Sequence, residues 1–468
     1  MKRRKTMITL LVVLAVACVA TLIVRGVEEH KEQIQNTDEV ILEVAAEDVE
    51  SLSWTYDDTS LSFHKNDDVW QWDDDEEFPV DEEKIEDLLA DFESFGAAFK
   101  IEEVEDMGQY GLDDPTCTIN FATADEEYEV LLGDYSKMDS QRYVSVGDGN
   151  VYLVKSDPFS DFEIELEDTV LNDRTPSFGD VKKITFSGQE NYEIDYVEEN
   201  DVTYCADDQY FTEQDGKTLA LDSSNVKQYY NAIAQMNLNN YASYNVTDDE
   251  LAAWGLDDPE LTVTIEYTEE DEDGNETDES FVLHIGENQE ELAEKEKAES
   301  KDKEYDGTVT AYARVGDSKL VYEITATEYD SLMAAAYDDL RHEEVFTADF
   351  DDVKELDITL DGEEYSITSE KDGDDRTYSY NDEEADITNL RTSITDLSVK
   401  EFTDAELPDK QEISLQLHLD KENDPVISIE IYRYDSESCL VVVDGETLGL
   451  VNRSAVVDMI EDVNDIVL

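Results

Sequence analysis

The sequence predicts an α+β fold, in which an N-terminal transmembrane helix is followed by three tandem repeats of antiparallel sheet plus helices. Two observations predict the repeats. The segment Tyr110-Gly-Leu-Asp-Asp-Pro115 recurs as Trp254-Gly-Leu-Asp-Asp-Pro259, and the same order of strand and helix patterns surrounds both copies. A third observation predicts the membrane helix, because Ile8 to Val24 is uncharged and almost wholly apolar. A chain of 468 residues also suits about three domains.

The composition is strongly acidic. The chain has 123 Asp and Glu residues against 33 Lys and Arg residues, which gives a formal net charge of −90. Such a charge repels phosphate polymers, so the sequence excludes nucleic acid as a partner. A net negative charge of this size suits divalent cations or basic partners. The same charge is expected of a chain whose carboxylates are simply solvated.

The N-terminal residues carry a membrane-targeting pattern. The basic cluster Lys2 to Lys5 stands directly before the apolar stretch, and such clusters stay on the cytoplasmic side of a membrane. We therefore predict a cytoplasmic tip at residues 1–6, a transmembrane anchor at 7–25 and a polar juxtamembrane spacer at 26–47. The bulk of the chain would then be extracytoplasmic, held at the cell membrane by a single pass.

Two alternatives for the N-terminal segment stay open. A signal peptide cleaved after Ala15-Val-Ala17 would release the chain. Lipidation of Cys18 would make it a lipoprotein, although Ala15 stands where such signals usually have leucine. The apolar stretch continues past Cys18 to Val24, which favours a retained anchor.

The three repeats are predicted at residues 48–176, 177–346 and 347–468. Each opens with three stretches in which apolar and polar residues alternate, which indicates a three-stranded antiparallel meander. The third strand of each meander is predicted around Val69–Trp72, around Val202 and Tyr204, and around Tyr378 and Tyr380.

A helix is predicted after each meander, because apolar residues recur there at i, i+3, i+4 and i+7 and form one stripe. Asp81 and Asp222 stand before two of these stripes at matching positions and are predicted to be N-caps. Arg391 makes the stripe of the third repeat narrower. The stripes consist of Ile85, Leu88, Leu89 and Phe92; of Val226, Tyr229, Tyr230 and Ile233; and of Ile387, Leu390 and Ile394.

The Gly-Leu-Asp-Asp-Pro segment indicates a turn that leads into the next strand. Glycine gives the backbone freedom, aspartate caps turns, and proline forces an extended residue before it. Leu112 and Leu256 are expected to pack each turn against the core. The alternative is a calcium site, for which the candidate oxygen ligands are Asp113, Asp114, Asp257 and Asp258.

Further strand patterns follow the segment and end in a shared glycine, Gly133 or Gly286, and a hairpin and a short closing helix complete the repeat. The third repeat lacks both the segment and this glycine, so we interpret it as a degenerate terminal copy. Residues 287–306 are a charged insertion in the second repeat. We expect a surface helix or a mobile segment there, with a partner-docking element as the alternative.

No constellation of catalytic residues stands out. The five histidines are scattered, and no zinc-protease, nucleophile-elbow, phosphate-loop or dinucleotide-binding motif occurs. Cys117, Cys205 and Cys439 fall one per repeat without a Cys-x-x-Cys pair, which is typical of small buried side chains. We therefore predict that the protein is not an enzyme and uses no cofactor.

Taken together, these motifs resemble the bacterial domain-of-unknown-function family 4340. The resemblance is carried by the anchor, the Tyr/Trp-Gly-Leu-Asp-Asp-Pro segment, the strand-ending glycine, the hairpins that start at Tyr143 and Tyr312, and Leu340-Arg341. It covers residues 45 to 345 best. It implies a membrane-anchored extracytoplasmic protein, often encoded beside ABC-type transporter components of the gliding-motility kind, and it assigns no catalytic residues.

The leading hypothesis is a membrane-anchored extracytoplasmic binding or scaffold protein, accessory to an ABC-type transport or cell-envelope system. Its expected partners are the membrane, through the N-terminal helix, then ABC transporter subunits or envelope proteins, and divalent cations. A Ca²⁺-responsive acidic surface protein is the second hypothesis. A cell-wall glycan hydrolase with two carboxylates in a cleft is the third.

Overall fold

The computed structural model describes residues 33–200, 202–270, 274–301, 305, 307–373, 375–422 and 425–468. The predicted cytoplasmic tip, the predicted anchor at 7–25 and the start of the spacer lie outside this range. Within it, no helix combines the length and the apolar character that crossing a bilayer requires.

Three nine-stranded antiparallel sheets make up most of the described structure. The first sheet contains β1 (Gln33–Leu42), β2 (Val49–Tyr56), β3 (Thr59–Asn66), β4 (Val69–Trp72), β5 (Phe95–Glu102), β6 (Cys117–Thr123), β7 (Glu127–Ser136), β8 (Gln141–Ser145) and β9 (Val151–Val154). The second contains β10 (Asp180–Gly188), β11 (Glu193–Tyr196), β12 (Tyr210–Gln214), β13 (Lys217–Leu221), β14 (Tyr241–Ser243), β15 (Leu261–Glu270), β16 (Glu276–Glu287), β17 (Ala311–Val315) and β18 (Val321–Ile324). The third contains β19 (Val353–Leu360), β20 (Glu363–Asp372), β21 (Asp375–Tyr380), β22 (Glu383–Glu384), β23 (Val399–Phe402), β24 (Gln411–Leu419), β25 (Val426–Arg433), β26 (Ser438–Val443) and β27 (Glu446–Asn452).

The strand orders show that eight strands follow one topology in all three sheets, while the ninth strand is β1, beside β5, in the first sheet and a fourth meander strand, β13 or β22, in the other two. The three orders are β1-β5-β9-β8-β7-β6-β2-β3-β4, then β13-β12-β11-β10-β15-β16-β17-β18-β14, then β22-β21-β20-β19-β24-β25-β26-β27-β23. In each sheet the first strand of the meander pairs with the strand that enters after the crossover: β2 with β6, β10 with β15 and β19 with β24. The prediction of tandem antiparallel-sheet repeats is therefore confirmed, and the third sheet keeps the topology without the repeated segment.

The α-helices of the described residues are short and few. They are α1 (Glu82–Ala90), α2 (Phe159–Phe162), α3 (Ser223–Ala234), α4 (Asp248–Ala253), α5 (Gln289–Glu299), α6 (Ala326–Met333), α7 (Tyr337–Leu340), α8 (Thr388–Thr395) and α9 (Arg453–Val467). Helix α5 occupies most of the charged insertion, and none of its residues is buried.

The chain divides into two compact units. Of the described residues, those up to Asp173 form one unit together with Leu238–Asn245, and those in Arg174–Asn237 and Val246–Leu468 form the other. The second unit therefore includes most of the second repeat and all of the third. In the first unit, residues Gln33–Leu42 of the stretch interpreted as a spacer form strand β1, which pairs with β5.

The predicted helix stripes are buried. Ile85, Leu88 and Leu89 of α1 are at most 1% exposed, and each such side chain stabilises the fold by roughly 1.5–3 kcal/mol. Asp81 and Asp222 cap α1 and α3 as predicted, because each carboxylate accepts hydrogen bonds from two backbone N–H groups of the first turn. In the third repeat the core packs α8 and α9 against the sheet through Leu390, Ile394, Val456 and Met459.

The predicted third strand of the second repeat was wrong. Val202 and Tyr204 are 50% and 40% exposed and lie in a loop between β11 and β12, while the strands that complete this meander are Tyr210–Gln214 and Lys217–Leu221. The loop is fixed by its own side chains. The carboxamide oxygen of Asn200 accepts hydrogen bonds from the backbone N–H groups of Val202 and Thr203, and such local bonds compete with strand pairing.

Candidate functional site

The two Gly-Leu-Asp-Asp-Pro segments end a short helical element in the same way. Gly111 and Gly255 have φ angles of 73° and 65°, the left-handed region that glycine adopts without strain. Gly111 follows the 3₁₀ turn Met107–Tyr110, and Gly255 follows α4 by one residue. Leu112 and Leu256 are 5% and 4% exposed, so both turns pack against the core as predicted.

The other residues of the shared pattern pack on these turns. The rings of Tyr110 and Tyr143 have centroids 4.9 Å apart, and those of Trp254 and Tyr312 lie 4.8 Å apart. A Cβ atom at Gly133 would overlap the carbonyl oxygen of Tyr110. Gly286 lies in the same way against the carbonyl oxygen of Trp254. The shared residues therefore form an internal contact that joins the turn to the sheet.

The candidate calcium ligands lie at the solvent side of these turns. Asp113, Asp114, Asp257 and Asp258 are all exposed. Among the described residues, two groups bring three metal-ligating side chains within 4.8 Å of one another, and neither group contains any of these aspartates. Calcium binding at the two turns stays a prediction.

A different cluster is built inside the second unit. We call it the His342 cluster, and its members are Cys205, Asp208, Asp222, His342 and Glu344. Cys205 and Asp208 lie in the loop between β11 and β12, and Asp222 is the N-cap of α3. His342 and Glu344 follow α7, on the segment that leads into the third repeat.

Side-chain hydrogen bonds fix the loop that carries Cys205 and Asp208. The amide group of Asn200 donates to the carbonyl oxygen of Cys205 at 2.6 Å. Ser223, at the start of α3, donates to the carbonyl oxygen of Asp207 at 2.7 Å and accepts from the backbone N–H of Gln209 at 2.9 Å. The loop is thus attached to the N-terminus of the helix that Asp222 caps.

Backbone hydrogen bonds hold the segment that carries His342 at the same helix. The backbone N–H of Asp222 donates to the carbonyl oxygen of Leu340 at 2.9 Å. On its other side the segment pairs with the third repeat, because the backbone N–H of Val399 donates to the carbonyl oxygen of Glu343 at 2.7 Å. His342 is therefore placed between the loop, the helix and the third repeat.

The imidazole of His342 stands between three carboxylates. Its Nε2 is 2.7 Å from Oδ1 of Asp208, and its Nδ1 is 3.7 Å from Oδ2 of Asp222 and 3.7 Å from Oε2 of Glu344. The other oxygen of Asp208 accepts a hydrogen bond from the Thr203 hydroxyl at 2.6 Å. The side chain of Asp208 is only 2% exposed, and that of His342 is 20% exposed.

These contacts shift the acidities of the cluster. Burial opposes ionisation of Asp208, but hydrogen bonds from His342 and Thr203 outweigh it, so the pKa of Asp208 is lowered. Burial likewise opposes the charged form of His342, but Asp208, Asp222 and Glu344 raise its pKa overall. Burial raises the pKa of the Cys205 thiol to about 11. The carboxylates around the imidazole therefore favour a proton on His342.

The sequence interpretation did not find this cluster. It predicted Asp222 only as a helix cap and Cys205 only as a small buried residue, and it predicted a strand where the loop lies. Asp208 and His342 are 134 positions apart, and no repeat carries a matching pair. The one local signal was the short run of Asn200, Thr203 and Asp208, whose polar side chains favour a structured loop over a strand.

The third repeat also carries an acidic groove of about 300 Å³ between β22, α8 and α9. Its carboxylates come from Glu383, Glu384, Asp386, Asp462 and Asp465. All of these except Asp462 are exposed, and Asp462 accepts a hydrogen bond from Ser393. A glycan hydrolase needs one carboxyl group that burial keeps protonated, and exposed carboxylates do not supply that environment.

Comparison with known proteins identifies a family for this chain. A model of the family described as Domain of unknown function (DUF4340) matches residues 70–259 and residues 214–416. Together the matches extend over residues 70–416, well over half of the chain. No curated protein and no solved structure matches the chain.

Proposed function

The chain belongs to the DUF4340 family, and from that premise we propose that it is a membrane-anchored extracytoplasmic binding or scaffold protein, accessory to an ABC-type transport or cell-envelope system. The observation that carries the proposal is the repetition of one eight-strand arrangement in three sheets, along a chain whose N-terminal residues are a basic cluster and an apolar stretch. Tandem copies of one domain offer several similar surfaces to a partner, which suits a scaffold.

Charge supports the proposed arrangement at the membrane. Lys2 to Lys5 favour retention of the N-terminus on the cytoplasmic side, where anionic lipids attract basic residues. The remainder of the chain carries all 123 acidic residues and would be repelled by anionic head groups. The repeats would then stand away from the lipid and face proteins or cations instead.

Copurification from solubilised membranes tests the accessory role. The tagged full-length chain should recover an ABC transporter subunit or an envelope protein, and a chain that lacks residues 1–25 should lose that partner and appear in the soluble fraction. Recovery of no transporter or envelope component would overturn the accessory role.

Added protease tests the orientation separately. On cells stripped of their outer barriers but with an intact cytoplasmic membrane, it should digest the repeats while a cytosolic marker survives. Protection of the repeats until the membrane is lysed would place the acidic bulk inside and overturn the extracytoplasmic assignment.

A second candidate function is a Ca²⁺-responsive surface protein. It is favoured by one specific observation, the exposure of Asp113, Asp114, Asp257 and Asp258 at equivalent turns of two repeats. Two carboxylates in an exposed turn supply fewer oxygens than the six to eight that Ca²⁺ takes, so water or a partner would have to complete the site.

A further inference from the structure

We propose that Cys205, Asp208 and His342 bind one transition-metal ion of the zinc class, with Asp222 and Glu344 orienting the imidazole from its other side. The site lies within one compact unit and uses residues that the Gly-Leu-Asp-Asp-Pro pattern does not include. It does not depend on the proposed scaffold role.

The donor set selects the metal class. One thiol sulfur, one carboxylate oxygen and one ring nitrogen all lie within 4.8 Å of one another. Sulfur and imidazole ligands suit zinc and its neighbours, whereas calcium and magnesium take oxygen ligands. Three protein ligands leave a fourth position for water or a partner's side chain, as in zinc sites that are not purely structural.

The spacing requires only a small adjustment. Nε2 of His342 and Oδ1 of Asp208 are at hydrogen-bond distance, 2.7 Å. Ligand bonds of about 2.0–2.3 Å in a tetrahedral site place two donor atoms roughly 3.5 Å apart, so these atoms would separate by about 1 Å. The ion would replace the proton that they share and the thiol proton of Cys205, and both protons would pass to solvent.

The surroundings place two carboxylates near the second ring nitrogen of His342, at 3.7 Å, just beyond hydrogen-bond distance. A metal-bound histidine usually donates its other N–H group to a carboxylate, which fixes the ring and its tautomer. When Nε2 is the ligand, Nδ1 carries the proton, and it faces Asp222 and Glu344 at 3.7 Å. Asp222 is itself held, because its Oδ1 accepts from the backbone N–H of Ser224 at 2.7 Å.

The second oxygen of Asp208 is held too, because the Thr203 hydroxyl donates to it at 2.6 Å. Asp208 and Asp222 are therefore both oriented by groups that lie behind them. The alternative role for the same residues is a protonated imidazole that simply joins the loop to the segment after α7, without any metal.

Cobalt titration of the full-length chain in detergent distinguishes the two roles. Millimolar magnesium would be present throughout, so that surface carboxylates are occupied. Binding through Cys205 should give a thiolate-to-cobalt charge-transfer band that saturates at one ion per chain and that zinc abolishes. Cys205→Ser should remove the band, and Thr203→Val should weaken cobalt binding by about 10-fold or more.

His418→Gln provides the matched control. His418 makes a similar contact, with Nε2 3.0 Å from Oδ2 of Asp357, but it belongs to neither group of metal-ligating side chains among the described residues. This variant should keep the band, whereas His342→Gln should lose it.

A charge-transfer band that is absent from the parent chain, or that persists in Cys205→Ser, would overturn the metal site and leave the ion-pair role. If Cys205→Ser fails to fold, His342→Gln decides the question. An intact fold without cobalt binding then supports the proposal, and retained binding overturns it.

Discussion

At the scale of single residues, Asp91 shows how the fold tolerates a carboxylate in an unfavourable position. It is the C-cap of α1, the end at which the helix dipole disfavours negative charge. Burial is the largest cause that raises its pKa, and together with the nearby carboxylates of Asp161 and Asp157 it brings that pKa to about 6. The folded state therefore binds this proton more tightly than the unfolded chain, whose value is near 3.8.

We expect Asp91→Asn to stabilise the first unit at neutral pH. Because the pKa of Asp91 is raised in the folded state, its contribution to the free energy of unfolding falls as the pH rises from about 4 to about 6 and stays low above that range. The free energy of unfolding should rise by an amount on the order of 1 kcal/mol at pH 7, after a discount for the partial exposure of Asp91. This difference between variant and parent chain should vanish below pH 4. Denaturant titrations across this pH range would measure it.

Asp87→Asn is the control for this prediction, because Asp87 lies exposed on the same helix. The substitution removes the same charge as Asp91→Asn does. It should change the stability equally little at both ends of the pH range. A gain from Asp91→Asn that does not depend on pH would contradict the explanation.

Gly133 and Gly286 test whether the contact between the repeated segment and the sheet supports each repeat. Alanine at either position would place a methyl group on a backbone carbonyl oxygen, of Tyr110 or Trp254, which cannot move like a side chain. Each substitution should cost about 2–4 kcal/mol of unfolding free energy. Gly96→Ala, whose Cβ would meet only the flexible Lys155 side chain at 3.4 Å, should cost less than about 1 kcal/mol.

The residue scale is also where sequence reasoning met its limit. It could predict that Leu112 and Leu256 are buried, because each is the single leucine in a polar turn and such a side chain is expected to pack against the core. It could not predict the His342 cluster, because Asp208 and His342 meet only through the packing of a loop, a helix and a segment after α7. Neither Asp208 nor His342 belongs to a local sequence motif that would indicate a site.

At the scale of elements, helix caps follow from the sequence directly. Asp81 accepts hydrogen bonds from the backbone N–H groups of Glu83 at 3.1 Å and Lys84 at 3.3 Å. Asp81→Ala should therefore destabilise the first unit by about 1 kcal/mol, measured by denaturant unfolding. Asp81→Asn keeps the acceptor and loses only the charge, so it should cost less than half as much. Equal losses in the two variants would show that charge, and not the hydrogen bonds, matters at this position.

The elements that the sequence predicted correctly share a property: each has a strong internal period. The stripes of α1 and α3 repeat at helical spacing, and hairpins alternate around glycine-containing turns. The prediction for the second meander failed because Val202 and Tyr204 have the alternating spacing of a strand. In the structure the side chain of Asn200 accepts the backbone hydrogen bonds of Val202 and Thr203, so that stretch forms a loop. Strand β1 was missed because Gln33–Leu42 is mostly polar, and its partner β5 supplies the pairing.

At the scale of the whole molecule, the net charge of −90 is the dominant feature. Like charges at this density repel one another in the compact state, and monovalent salt screens them over about 10 Å at 0.1 M. Screening by salt therefore lowers the repulsion between carboxylates even when no ion binds at a specific site. Any stabilising effect of a divalent cation must therefore be compared with the effect of ionic strength alone.

We expect calcium and magnesium to raise the melting temperature of the full-length chain equally at matched ionic strength, because both act on a surface of solvated carboxylates. A variant with Asn at positions 113, 114, 257 and 258 should respond as the parent chain does, because it removes only four of 123 acidic residues. Differential scanning calorimetry in sodium, magnesium and calcium chloride would measure both effects. A rise with calcium beyond that with magnesium, lost in the fourfold variant, would favour the calcium-responsive function, since only a site with defined oxygen geometry separates the two ions.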